Sequence, residues 1–302
     1  MMASSTPRSC TLERSLSRGG EACTAADPQS LRGRFAEIAA ASEEAIDLGE
    51  AAALIGLEDE GGGRVVDVLG ALDALAEAAR GVIRCARSPA DRLDRLRGIF
   101  AEEWGFSGNE GDYYDPANSC LHRVLERRIG IPISLSVVLI EVARRLEIPL
   151  RGVGFPTHFL VASPELPGVF IDPFHGGLCL TEAECVGLLA RLTRGRAPVD
   201  ARCLQPVSKR YILGRMLNNL KAIYLSRGEY ERAIAALDRL LLLSPSAAAL
   251  QRERGLLRLH VHDYGGAIAD LEVCLAGDVA GEDAGEIEAL ISAASRRLTL
   301  RH

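Results

Sequence analysis

The chain has 302 residues, of which 48% are hydrophobic, 25% charged and only 5% aromatic. That is enough for about two domains whose cores are filled by aliphatic side chains and alanine. A formal net charge of −6 argues against a nucleic-acid binder, which needs clustered Lys and Arg to displace phosphate counterions. No apolar run reaches the ~18 residues of a membrane span, no apolar h-region follows Arg8 and Arg14, and the eight cysteines form no CxxC pair, so we expect a cytoplasmic protein with reduced thiols and no metal or cofactor.

Residues 1–30 are rich in Ser, Thr, Arg and Gly without periodicity and read as a disordered tail. Over 31–57, Phe35, Ile38, Ala39, Ile46 and Leu54 fall on helical spacing, predicting an amphipathic helix broken near Leu48 and Gly49. A second helix over 65–86 carries Leu69, Leu72, Leu75, Ala76 and Ala79 on one stripe. Ser88-Pro89-Ala90-Asp91 supplies an N-cap, a first-turn proline and a first-turn acid, and a third helix follows to Trp104. The polar loop 105–119 holds Phe106, Tyr113 and Tyr114, aromatics of the kind that tie a loop to a core. A short helix over 120–128 precedes a longer apolar one over 133–146. The pattern then turns β-like over 151–162 and 169–172, two strands expected to pair antiparallel across the turn-forming Ser163-Pro164-Glu165-Leu166-Pro167-Gly168. Helix returns over 181–192. The stretch 194–208, with Gly195, Pro198 and Pro206, reads as a linker between domains over 31–193 and 209–302.

Past the linker the chain repeats itself. Tyr230-Glu-Arg-Ala233-Ile234-Ala-Ala-Leu237-Asp-Arg-Leu-Leu241 realigns with Tyr264-Gly-Gly-Ala267-Ile268-Ala-Asp-Leu271-Glu-Val-Cys-Leu275 at an offset of 34 residues, the tetratricopeptide period. Two helical hairpins alone bury too little surface. A last helix opening at Asp283-Ala-Gly-Glu286 is expected to cap one end of the array, and the other end to pack on the first domain.

Three places in the middle of the chain could carry chemistry. His158, next to a proline in a β-like stretch, lies 14 residues before Asp172, and a hairpin of that length can set them side by side. A carboxylate beside an imidazole fixes its tautomer and stabilises its charged form, so the pair is an acid/base couple or a structural hydrogen bond. The start of helix 133–146 is where a catalytic thiolate would be activated, yet Pro132 stands there, with Ser134 and Ser136 just beyond as helix-start hydroxyls or as nucleophiles awaiting a base. Finally, Asn109, Asp115, Asn118, Tyr113 and Tyr114 of the 105–119 loop either line a ligand pocket or anchor the loop.

Phe106-Ser-Gly-Asn109, Tyr113-Tyr-Asp-Pro-Ala-Asn-Ser119, Leu125-Glu-Arg-Arg-Ile-Gly-Ile-Pro-Ile-Ser-Leu-Ser136, Gly152-Val-Gly-Phe-Pro-Thr-His-Phe-Leu-Val161 and Ile171-Asp-Pro-Phe-His-Gly-Gly177, in this order, resemble the bacterial invasion-regulator SirB family. That resemblance, over roughly residues 30–300, implies a transglutaminase-like domain followed by tetratricopeptide repeats. It further implies that Pro132 occupies the place of the nucleophilic Cys, His158 that of the His and Asp172 that of the Asp. Thr157 and Glu147 stand where the family pattern has Gly, and His175 where it commonly has Asn.

The expected fold is therefore α+β: a helical N-terminal region, a papain/transglutaminase-like core in which helix 133–146 packs on a small antiparallel sheet, and tetratricopeptide-like hairpins. The expected function is that of a non-enzymatic interaction or regulatory protein, binding a protein or peptide through the repeats, with Asn109, Tyr113, Tyr114, Asn118 and Thr157 as binding candidates. The alternative is a cryptic hydrolase or acyltransferase using Ser134 or Ser136 with His158 and Asp172. A weaker third idea is metal binding by His158, Asp172 and His175.

Overall fold

The computed structural model describes residues 26–194, 201–277 and 282–300, so Cys10, Cys23 and most of the predicted tail lie outside the described residues. The last part of that tail is structured. Ala26 bridges to Gly63, and Asp27 caps helix α1 (Pro28–Ala40) by accepting from the Ser30 amide at 2.9 Å. Residues 26–30 thus encode a helix start, with Asp as cap and Pro in the first turn. Helix α2 (Leu48–Asp59) is capped by Asp47, so the break falls over 41–47, and Leu48 and Gly49 open the second helix instead of interrupting one. α2 is buried from Leu48 to Glu58 apart from Glu50, which removes most of the polar stripe that would have marked its bounds.

Helix α3 (Val65–Arg84) follows the predicted stripe, and α4 (Pro89–Gly98) starts on the Ser88 cap. The end of the predicted third helix widens into a π-turn over Ile99–Glu103, where the Trp104 amide reaches back to the Ile99 carbonyl. The 105–119 loop contributes a strand, β1 (Ser107–Gly108), which pairs in parallel with β2 (Ile129–Gly130) beyond helix α5 (Leu121–Arg127). Helix α6 (Pro132–Arg145) is buried along almost its whole length.

The predicted strand over 151–162 is two strands, β3 (Arg151–Val153) and β4 (Leu160–Ala162), joined by a reversal. With β5 (Val169–Asp172) and β6 (Leu178–Thr181) they form an antiparallel meander in the order β3-β4-β5-β6. The alternation of a strand sorts its side chains between two layers. Phe159, Val161 and Ile171 join α6 in the main core. Val153, Leu160, Phe170 and Leu180 face Cys185, Leu188 and Leu189 of helix α7 (Glu182–Leu192), whose capping box is Thr181 with Glu184.

The C-terminal part is a run of helices: α8 (Lys209–Arg227), α9 (Tyr230–Leu243), α10 (Ala248–His260), α11 (Tyr264–Ala276) and α12 (Glu282–Thr299). Tyr230 and Tyr264, one repeat period apart, open α9 and α11. α12 closes the array, with Ile287 against Leu271 and Cys274. The other end is fused to the first half of the chain. Leu213, Met216, Leu217 and Leu220 of α8 lie in the same core as α2 and α6. Around them, Lys209 Nζ donates to the Ile46 carbonyl at 2.6 Å, and Arg210 donates to the carbonyls of Ala39 and Ala41 at 2.7 and 2.9 Å.

Candidate functional site

His158 and Asp172 meet at 2.8 Å, ring Nε2 to carboxylate Oδ2, with only 4% and 1% of their surfaces exposed. The predicted adjacency holds, but by a different local route. His158 is not in a strand; it is the last residue of a turn. Its amide donates to the Phe155 carbonyl at 3.1 Å, Pro156 takes the second place, and Thr157 the third with φ +60°. That is the type II pattern, whose third place favours glycine. Asp172 ends β5, and the pairing of Val161 with Ile171 carries its carboxylate to the turn.

The Asp172 carboxylate is fully engaged. Oδ1 accepts from the amides of Phe174 and His175 at 3.1 and 3.4 Å, while Oδ2 also takes His175 Nδ1 at 2.7 Å. Burial works to raise its pKa, but the hydrogen bonds and charges of His158 and His175 outweigh burial and hold it below the ordinary carboxylate value. With Nε2 of His158 donating to Asp172, the ring nitrogen left to face a reacting group is Nδ1. His158, Asp172 and His175 also bring three possible metal-ligand atoms within 4.8 Å of one another, with His175 exposed.

Pro132 is buried in the first turn of α6. This helix start is tied to the Asp172 turn through β1. The Asn109 amide donates to the Gly130 carbonyl, and the Gly108 amide to the Phe174 carbonyl, both at 2.9 Å. Glycine at 108 leaves room for the Phe174 ring: a Cβ there would stand 2.5 Å from it, and the ring would have to shift. Phe174 in turn lies edge-on to both His158 and Tyr113, at 6.0 and 6.1 Å between centroids.

Neither serine is hydrogen-bonded to His158. The Ser134 hydroxyl donates to the Asn118 carbonyl at 2.6 Å and accepts from the Ile131 amide at 3.1 Å, and Ser136 donates to the Pro132 carbonyl at 2.7 Å; both are fully buried. The serine alternative needed one of these hydroxyls beside the imidazole, and each is committed to the backbone instead. Burial raises the pKa of the Cys120 and Cys179 thiols, and that of Cys185 to about 11, which disfavours their thiolate forms.

The loop candidates divide. Asn118 is wholly buried and holds the loop together, its amide donating to the Asp112 carbonyl at 2.7 Å and its oxygen accepting from Asn109 at 3.1 Å. Asn109 also accepts from the Asp112 amide at 3.0 Å. These two match the anchoring reading, and of the loop's aromatics only Phe106 is buried, stacked on Phe100 at 4.6 Å. Tyr113 and Tyr114, expected as anchors or binders, are 38% and 67% exposed, with Tyr113 resting on Phe174. They line a cleft of about 430 Å³ with Ile131, at the start of α6, and with Asn219, Ala222 and Ile223 of α8. Thr157 is exposed beside His158.

One participant was missed entirely. Arg215 of α8 donates to the carbonyls of Phe155 and His158 at 2.9 and 3.0 Å, clamping the turn that carries the histidine. Nothing in the local sequence near residue 158 announces a partner 57 residues away.

A helix-on-sheet core presenting a buried His–Asp pair, continued by stacked helical hairpins, defines a transglutaminase-like protein with a tetratricopeptide array. Comparison with known proteins agrees. The model of the transglutaminase-like superfamily matches residues 66–218, just over half of the chain, and a tetratricopeptide-repeat model matches 220–292. The chain belongs to this transglutaminase-like family. The match runs through the predicted linker and into α8, which fits the place of Arg215. A UPF0162 protein of Xylella fastidiosa (strain Temecula1) is 45% identical over 175 residues, 57% of this chain and 62% of that protein. A UPF0162 protein of Pseudomonas aeruginosa is 35% identical over 62% of this chain and 70% of its own length. Protein SirB1 of Salmonella typhimurium is 28% identical over 66% and 75% respectively, in line with the resemblance seen in the motifs. The aligned part of the chain thus spans about 62% of the Xylella relative's length. No solved structure matches the chain significantly. Among the described residues, no helix is long and apolar enough to cross a membrane.

Proposed function

We propose that this protein is a non-enzymatic interaction or regulatory protein, in which a transglutaminase-like domain without its nucleophile is joined to a repeat array that binds a protein or peptide. One observation carries the reading. Pro132 fills the helix start where the family thiol would stand, and the nearby Ser134 and Ser136 hydroxyls are bound to backbone carbonyls. A general base needs a nucleophile within hydrogen-bond reach, and His158 has no such group among the described residues. The repeats supply the complementary half of the argument, because stacked helical hairpins generate extended surfaces suited to protein recognition. Tyr211, Leu256 and Val273 are large apolar side chains left 40–53% exposed on that surface.

The test uses the full chain, since α8 and α9 share the core of the first half and cannot be cut away cleanly. Leu256→Glu and Val273→Glu should abolish co-purification of a partner that the wild type retains, while His158→Ala should not. A serine-reactive acylating probe should leave Ser134 and Ser136 unlabelled. Labelling of either serine, lost in the His158→Ala variant, would reject the non-enzymatic reading.

A further inference from the structure

The repeat array does more than adjoin the His158–Asp172 pair. Arg215 sits on the first repeat helix, seven residues into α8. Its guanidinium donates to the Phe155 carbonyl at 2.9 Å and to the His158 carbonyl at 3.0 Å, the first and last residues of one turn. The same guanidinium lies 5.6 Å from the centroid of the Phe159 ring, the next residue along the chain. Among the described residues it forms no ion pair, unlike Arg232 and Arg254 of the same array, which each reach a carboxylate. The other face of Arg215 lines a groove of about 350 Å³ between α8 and the start of α10, with Tyr211, Asn218 and Leu250.

The turn needs such a clamp. Thr157 is a β-branched residue in the left-handed region at φ +60°, a conformation that is unfavourable for it. Phe155 O already accepts the amide of His158, and the second donor from Arg215 fixes both ends of the reversal. The imidazole leaves the chain at the last residue of this turn. A small rotation there would move Nε2 away from the Asp172 oxygen, which β5 holds in place independently.

We infer that Arg215 is a positioning residue that sets the His158 ring against Asp172, making the first repeat helix part of this site and joining the repeat groove to it through one side chain. The inference rests on reading His158 and Asp172 as a preserved pair, and the experiment below separates the two. Histidine side chains of the full-length protein are labelled with ¹⁵N and followed by NMR, which reports the tautomer of each ring and the exchange of its bonded proton. In the wild type, His158 should hold its proton on Nε2. Arg215→Met should release a second tautomer and speed exchange of that proton by roughly tenfold or more, as expected from losing charge-assisted hydrogen bonds that hold the turn. Arg215→Lys, which keeps a cation able to reach one carbonyl, should fall between the two. Asn218→Ala, one turn along and bonded only to the Gly214 carbonyl, should match the wild type. Should the Met variant fail to fold, the Lys variant alone decides by the same readout. A wild-type tautomer and exchange rate in the Arg215 variants would overturn Arg215's role while leaving the pair intact. Both tautomers in the wild type would overturn the pair itself.

Discussion

Asp172 gathers two imidazoles and two amides around one buried carboxylate, and its charge is part of what keeps the turn and the sheet end together. Its pKa is held low in the folded chain, so the stabilisation it contributes is fully present above the unfolded value of about 3.9 and is lost as pH falls through the lower folded value. Asp172→Asn should lower stability at neutral pH and flatten the acid-side decline, so that variant and wild type converge in urea unfolding once pH falls below the lowered folded value. Pro132→Cys tests the other half of the site. A thiol in the first turn of α6 gains the helix N-terminus, and if His158 faces it the thiolate is stabilised further. Alkylation at neutral pH, followed by peptide mass spectrometry, should be faster at residue 132 than at the exposed Cys85 and Cys179, and should slow when His158→Ala is added. A rate equal to that of Cys85 would reject the equivalence of Pro132 with the family nucleophile. At this scale the His–Asp pair was legible because a 14-residue separation in a β-like stretch permits few alternatives. Asn118 stayed open between two roles because an amide side chain in a polar loop looks the same in sequence whether it binds a ligand or its own backbone. Arg215 was not legible at all, since its only signal is tertiary.

Thr157 and Glu147 illustrate how an element's ending can be tested. Glu147 follows α6 at φ +59°, with its amide on the Arg144 carbonyl and the Ile148 amide on the Ala143 carbonyl at 2.9 Å, the paired bonds of a Schellman ending whose left-handed place favours glycine. Thr157 holds the corresponding place in the His158 turn. A left-handed non-glycine residue costs ~1–2 kcal/mol, and glycine gives back ~0.5–1 kcal/mol through the entropy of the unfolded chain. Glu147→Gly and Thr157→Gly should therefore each stabilise the protein by ~0.5–1 kcal/mol, with the β-branched Thr157 giving the larger gain. Calorimetry would show it; a lowered Tm for Thr157→Gly would mean that the threonine makes compensating interactions in the turn. Sequence reading located the long helices well, because the Ser88 cap with its first-turn proline and the 34-residue period are local signals. It failed where an element is too short or too buried to show a period: β1 and β2 have two residues each, α2 is apolar on nearly every side, and the reversal at Pro156 and Thr157 hides inside an apolar run.

The whole molecule is held together by an interface between α2 and α9, at the end of the array that the sequence already placed against the first domain. Arg239 of α9 is 1% exposed, and its guanidinium donates to the Ile55 carbonyl of α2 at 2.8 Å, with Glu58 and Asp59 each 3.9 Å away. Asp59 also accepts from the Tyr224 hydroxyl and from Arg232, and Glu58 pairs with Arg32 of α1, which reaches Asp238 of α9. Removing the central cation leaves Glu58 and Asp59 to Arg32 and Arg232 alone, strips the Ile55 carbonyl of its buried donor and opens a cavity between α2 and α9. Breaking a buried pair on one side costs ~3–5 kcal/mol, so Arg239→Ala should cost about 3 kcal/mol, while Arg239→Met, which refills the volume, should cost less but still destabilise because the carboxylates remain. The position of this contact makes a sharper prediction than its size. Trp104 is the single tryptophan and packs against the core of the first half, whereas far-UV circular dichroism draws much of its signal from the repeats. If that core is continuous from α1 through α9, urea unfolding followed by tryptophan fluorescence and by circular dichroism should give coincident midpoints in the wild type, and Arg239→Ala should shift both by the same amount. A shift confined to the dichroism signal would mean that the repeats unfold on their own and that the first domain does not depend on them.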